Sequence, residues 1–260
     1  MINYFQIQKL SSKKNVPEEI IEKDYLIELV LFYLAKDRCF KEKLIFRGGT
    51  ALKKIYFSDY RISEDLDFLI KDEGNLRECE QKLDQLLAKI SSKYPFRLNK
   101  YANIHKDRLQ FFITYNIVPE IIAVKELRVD ILKDRFTPSF QKREIKFTYQ
   151  EFKQEKVELN VYLLESVASD KICRILEVDN EPRDIYDLWY LLKLNLDAAK
   201  IKEEFKNRYT YDIPISNLLS EIAKEDYKRN WYIRLEKQIG ELPPYEIIVK
   251  ELKKLIKKNY

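Results

Sequence analysis

Glycine is scarce in this 260-residue chain, with four in all, and proline reaches only eight, which excludes collagen-like, low-complexity and Pro/Gly-linker architectures. Cysteine is scarce as well. Cys39, Cys79 and Cys173 are far apart and in no C-x-x-C pair, so neither a disulfide framework nor a zinc ribbon is expected and a reducing compartment fits best. The single histidine, His105, excludes imidazole metal cages and, lying in a polar stretch between two strand candidates, reads as a surface residue. No stretch approaches the ~18 uncharged apolar residues of a membrane-spanning helix, and the opening MINYFQIQKLSSKK lacks the apolar core of a signal peptide, so a soluble cytoplasmic protein is expected. A large excess of one charge is missing too: 48 Lys+Arg against 43 Asp+Glu leave a net +5, compatible with a polyanionic partner without demanding one.

What is present, 45% hydrophobic and 35% charged residues, is the composition of a folded chain long enough for one large domain or two modest ones. Two are expected, at 1–155 and 156–260. In the first, apolar spacing predicts a helix over 17–36. LIF (44–46) then reads as a strand running through Gly48-Gly49 into a helix, and DLDFLI (65–70) as a compact strand. A polar turn at 71–75 leads to a helix ending near Ser92, followed by strands at 96–102, 108–117 and 126–132 and a weaker one at 143–149. From about 164 the period becomes 3.6 and stays there, predicting helices over 164–177, 182–194, 198–208, 214–239 and 243–258. The expected class is α/β (α+β): a mixed sheet flanked by helices, then an all-helical domain.

Two of the four glycines, Gly48 and Gly49, sit between a strand and Thr50, which opens a helix. Glycine permits positive φ and close backbone approach, and free N–H groups at a helix start favour phosphate; a plain tight turn would use the same residues. No G-K-[ST] follows, so this is not a P-loop. Downstream, Asp65 and Asp67 alternate with Leu66 and Phe68 on the strand, which places both carboxylates on one face and both apolar side chains toward the core. Two like charges held together suit a hard cation such as Mg²⁺, although a solvated acidic strand end would look the same. A third carboxylate for a two-metal phosphoryl-transfer site is Asp130, in ELRVDIL; Asp134, beside Lys133 and Arg135, is the competitor. Arg61 and Ser63 lie on the approach to the carboxylates, where a guanidinium could clamp phosphate, and of Lys53 and Lys54 one could do likewise while the other points elsewhere.

The runs FRGGTALKKIYFSDYRISEDLDF (46–68), LESVASDKICRIL (164–176) and EPRDIYDLWYLL (181–192) resemble the AbiEii/AbiGii-type toxin nucleotidyltransferases of the DNA polymerase β-like superfamily. The resemblance covers about 40–195, and Thr50 replaces a Ser of the wider superfamily while keeping its hydroxyl. It implies a nucleotidyltransferase fold in 1–155, and an NTP whose triphosphate lies over Gly48, Gly49 and Thr50 in the cleft between the two domains. It further implies Mg²⁺ on Asp65 and Asp67, and a Lys and an Asp near the nucleotide that match Lys171 and Asp184. Lys171 with Arg174, and Asp184 with Asp187, are each three apart on a helix, so a salt-bridge layer between helices is the alternative there. The activity implied is transfer of a nucleoside monophosphate from NTP to RNA, foremost a tRNA 3′ end, by a toxin with a cognate antitoxin. Nucleotidylation of a protein, or nucleotide binding without turnover, are the rivals. The last helix pattern sets Lys250, Lys253, Lys254, Lys257 and Lys258 against Glu246 and Glu251 beside an apolar stripe, which suits either a solvated face or RNA phosphates. Trp189 and Trp231 recur on apolar helix faces and read as core.

Overall fold

A computed structural model describes residues 1–71, 75–123, 125–177 and 181–260; most of the expected polar turn at 71–75 lies outside the described residues. Two compact units form, one of Met1–Thr137 with Gln141–Val161, the other of Pro138–Phe140 with Tyr162–Tyr260.

The first unit begins with α1 (Tyr4–Lys14), α2 (Glu18–Lys36) and the short α3 (Arg38–Lys43). Asn3 caps α1 through a capping box with Gln6, and Asp37 caps α3 by accepting from the amides of Cys39 and Phe40. Strand β1 (Leu44–Arg47) leads into α4 (Gly48–Ala51), which continues as a π-helical turn over Leu52–Tyr56. Then come β2 (Asp65–Ile70), α5 (Leu76–Lys93), β3 (Leu98–His105), β4 (Arg108–Tyr115), β5 (Glu126–Lys133), β6 (Phe140–Glu144) and β7 (Glu158–Tyr162). Among the described residues these strands make one seven-stranded sheet in the order β3-β4-β5-β2-β1-β7-β6. It is mixed: β1 and β2 are antiparallel, whereas β2 runs parallel to β5 and β1 to β7.

One face of the sheet is the core. Leu66 and Phe68 of β2, Leu109, Phe111 and Ile113 of β4, and Leu127, Val129 and Ile131 of β5 are all buried, and Phe68 stacks on Phe46 at 5.1 Å between ring centres. α2 closes this core with Tyr25, Leu26, Leu29 and Val30 at zero exposure. It also buries three acids. Glu28 takes the amides of Thr148 and Tyr149 and, with Asp24, the ammonium of Lys54; Glu22 takes the amides of Ile117 and Val118 and the ammonium of Lys125. Glu22 and Glu28 therefore replace water with charge-assisted bonds to loops that lack strand partners, and Asp24 with an ion pair to Lys54.

The second unit holds α6 (Leu164–Glu177), α7 (Pro182–Leu192), α8 (Ala198–Tyr209), α9 (Ile215–Glu221), α10 (Glu225–Leu235) and α11 (Tyr245–Asn259). Helix α7 packs against α6, α10 and α11, and α6 against α8. Trp231 is fully buried and donates to the Pro243 carbonyl, and Trp189 is buried and donates to Glu251.

Differences from the sequence-based expectation are local. The strand near 143–149 lies at Phe140–Glu144 instead, because residues 145–149 turn inward to serve α2: Ile145 bonds Val157 and Lys146 bonds the Lys54 carbonyl. The single helix expected over 214–239 is two, α9 and α10, parted at 222–224, where Lys224 is extended (φ −64°, ψ 137°) with neither Gly nor Pro to mark the break. Strand β7 and helices α1 and α3 carry too little periodicity to announce themselves. The cysteines are free thiols, and burial pushes Cys79 and Cys173 up to about 12. His105 is exposed, as expected. No helix among the described residues is long and apolar enough to cross a membrane.

Candidate active site

The turn Gly48-Gly49-Thr50 and the segment 61–67 interlock residue by residue. Gly48 has φ +78°, a left-handed conformation natural to glycine, and a Cβ there would stand 2.7 Å from Oδ2 of Asp67. At Gly49 a Cβ would lie 2.6 Å from Nη2 of Arg61 and 3.1 Å from Oγ of Ser63. The Thr50 hydroxyl donates to the Asp65 carbonyl. Gly48 is thus required by its φ and by the carboxylate, whereas at Gly49 a side chain would displace the end of the Arg61 guanidinium. Arg61, Ser63 and Thr50 are all buried.

The two adjacent lysines divide their roles because consecutive residues of a helix do not face the same side. Lys54 enters the core, with its ammonium 2.6 Å from Asp24 and 2.7 Å from Glu28. Lys53 donates to the carbonyls of Ser58 and Tyr60, pinning the turn that delivers Arg61; burial pulls its ammonium down to about 8.

Sheet register assembles the acidic side. Asp65 pairs with Arg128 and Asp67 with Asp130 across β2 and β5, while Arg47 of β1 lies opposite Asp67. All three aspartates therefore belong to one face. Arg128 reaches Asp65 at 2.9 Å and Asp130 at 3.2 Å; Arg108 holds Asp130 at 2.8 Å, and Gln110 donates to its other oxygen at 3.2 Å. Burial opposes the charge on Arg128, but Asp65, Asp130 and Asp67 override it and raise its pKa. Asp134 lies beyond the strand end and accepts from the Phe136 amide.

Among the described residues no cluster of three or more His, Cys, Asp or Glu side chains is gathered closely enough to hold a metal ion. Asp130 is turned to Arg108 and Gln110. The donor chemistry nevertheless fits a hard divalent cation: two carboxylates at i and i+2 with a third in register, all oxygen, and Asp67 set closer to the turn's backbone than any residue but glycine allows.

In the second unit, Lys171 lies 2.7 Å from both Asp184 and Asp187, and Arg174 reaches the other oxygen of Asp184 at 2.8 Å. This is the salt-bridge layer between α6 and α7 foreseen as the alternative, and Lys171, Asp184 and Asp187 are all buried in it. Sequence reasoning did not attach Arg108 and Gln110 to Asp130. Period-two spacing in RLQFFITY sets Arg108, Gln110 and Phe112 on one face, but which strand they meet is fixed only by the β4–β5 register.

A family model described as "Nucleotidyl transferase AbiEii toxin, Type IV TA system" matches residues 30–255. Among solved structures, MenT4, a nucleotidyltransferase toxin from Mycobacterium tuberculosis H37Rv, superposes with a TM-score of 0.74. The match covers 99% of this chain and 90% of that one at 15% identity, which is a likeness of fold. No curated protein matches the sequence.

Proposed function

The chain belongs to the AbiEii family of nucleotidyltransferase toxins of type IV toxin–antitoxin systems, and from that premise we propose that it transfers a nucleoside monophosphate from an NTP to the 3′ end of an RNA, foremost a tRNA, releasing pyrophosphate. The observation that supports this reading best is the contact of Gly48 with Asp67 and of Gly49 with Arg61 and Ser63, which brings a phosphate-tolerant turn against the acidic strand. Backbone amides at the start of α4 would take the triphosphate oxygens, and Arg61 would offset charge that grows during transfer. Asp65 and Asp67, joined by Asp130 once it swings from Arg108, would hold two Mg²⁺; when bound, these ions supply charge neutralisation and activate the attacking hydroxyl. Asp130, on β5 at the side of β2 away from the glycine turn, is assigned to accept that hydroxyl's proton. A role for Lys53 in supporting the nucleotide turn is proposed on its bonds to the Ser58 and Tyr60 carbonyls, and roles for Lys171 and Asp184 near the nucleotide on the family pattern. A cytoplasmic setting and a cognate antitoxin follow the same pattern.

Incubation with each labelled NTP, Mg²⁺, total RNA and cell lysate tests the acceptor. Label is expected in RNA; label in protein instead would replace RNA by a protein hydroxyl, and label in neither would remove the transfer reading.

A further inference from the structure

The sheet face that carries the aspartates extends well beyond them. Register sets Tyr101, Phe112, Arg128 and Asp65 in one row across four adjoining strands, and Asn103, Gln110, Asp130 and Asp67 in the next. Alternate residues of β4 and β5 fill the core, so these rows lie on the opposite, solvent-facing side. At its far end the rings of Tyr101 and Phe112 stack 4.5 Å apart and within 10° of parallel. Tyr101 is 48% exposed, and its hydroxyl donates to Glu126 at 2.9 Å, which fixes the ring plane. A cross-strand aromatic pair stabilises a hairpin wherever it sits. That does not explain why this pair shares a register row with Asp65.

We infer that Tyr101, backed by Phe112, is a base-stacking platform for the single-stranded end of the RNA acceptor; the inference rests on the transfer reading above. The topology supplies the direction. The Gly48-Gly49 turn leaves the end of β1, on one flank of β2, whereas β5, β4 and β3 follow in order on the other. Nucleophile and leaving group stand roughly in line on opposite sides of the reacting phosphorus, so a triphosphate over the turn leaves the β5 flank to the acceptor. Three strand spacings separate Tyr101 from Asp65, roughly 14 Å, which about four stacked nucleotides span at ~3.4 Å each. Arg128 stands between them in the same row, and the part-exposed guanidinium of Arg108 reaches Asp130 in the next, so both can turn donors to intervening phosphates. An exposed aromatic face takes any base and needs that base unpaired, so the surface fits a single-stranded end better than a duplex.

The probe is an RNA hairpin ending in four unpaired nucleotides, one of them 2-aminopurine, compared with a blunt hairpin. The wild-type protein is expected to quench the 2-aminopurine and to bind the overhanging hairpin more tightly than the blunt one. Tyr101→Leu should abolish quenching and raise the KM for this RNA roughly tenfold, leaving kcat at saturating RNA and the Kd for NTP unchanged, while Tyr101→Trp restores both. Phe112→Leu should give an intermediate loss. If wild-type protein labels the RNA but Tyr101→Leu keeps its quenching and KM, the platform falls and the transfer reading stands; a lowered melting temperature with that unchanged KM would make the pair a hairpin brace only. If the wild-type protein neither binds nor labels RNA, the transfer-to-RNA reading fails and takes the platform with it.

Discussion

Gly48 ties the backbone to the chemistry most tightly. An alanine there must adopt φ near +78° and set its Cβ 2.7 Å from Oδ2 of Asp67, so it cannot be accommodated without moving the carboxylate. Gly48→Ala is expected to cost about 1–3 kcal/mol of stability, and by displacing Asp67 to reduce transfer by about a hundredfold. Gly49→Ala meets instead the far end of Arg61, which can shift, so it should melt close to wild type while weakening NTP affinity. Calorimetric titration with NTP and thermal melting of both variants check this; a Gly48→Ala protein of wild-type activity would reduce the turn to a simple connector. The sequence displayed the glycines, the aspartates and their shared face, because a period of two needs no tertiary information. It did not show that Gly48 rather than Gly49 is the left-handed residue, nor that Arg108 and Gln110 hold Asp130, since those facts depend on which strands become neighbours.

Among the elements, α2 shows where pattern reading stops. Its apolar residues predict the helix and its ends closely, yet Glu22, Asp24 and Glu28 read as ordinary polar positions although all three are fully buried. Their partners, Lys54, Lys125 and the amides of Ile117, Val118, Thr148 and Tyr149, lie far along the chain. Lys54→Met is expected to destabilise the protein by about 3–5 kcal/mol at pH 7, because two buried carboxylates lose their shared cation. The pH dependence has a definite sign. In the wild-type protein burial pushes the Asp24 carboxyl up, but Lys54 overrides it and holds it below 3.8, so its contribution is present above that pH and lost as pH falls through the folded value. Without the cation, burial prevails and Asp24 rises above 3.8, so the variant gains stability as pH falls from 7 toward 4 and its deficit narrows. Urea unfolding of both proteins at pH 7 and pH 4.5 checks it; a deficit that stays constant or widens on acidification would contradict the assignment. The missed strand β7 and the α9–α10 break share one cause: neither a five-residue strand nor a break at Ala223-Lys224 leaves a mark without Gly, Pro or clear alternation.

For the molecule as a whole, the α/β class with helices after it was legible because the hydrophobic period changes near 164, and the family resemblance rested on the most constrained segment, 46–68. Helix α11 offers a test of partner at this scale. Ile248, Leu252 and Ile256 are buried while Lys250, Lys254, Lys257 and Lys258 stay exposed, so the lysines can meet polyanions without disturbing the packing. If they contact RNA phosphates, neutralising Lys250, Lys254 and Lys257 should flatten the slope of log affinity against log salt by roughly two to three units and leave NTP affinity unchanged; an unaltered slope would assign them to solubility. The central claim, that Asp65 and Asp67 against the glycine turn perform metal-assisted nucleotidyl transfer, is tested most directly by Mg²⁺-dependent pyrophosphate release measured together with RNA labelling. The comparison is between wild-type, Asp65→Asn and Asp67→Asn proteins of verified melting temperature. Release and labelling are expected one for one in the wild type, with both lost by about a thousandfold in either folded variant. Wild-type rates in a folded Asp67→Asn protein would contradict the account.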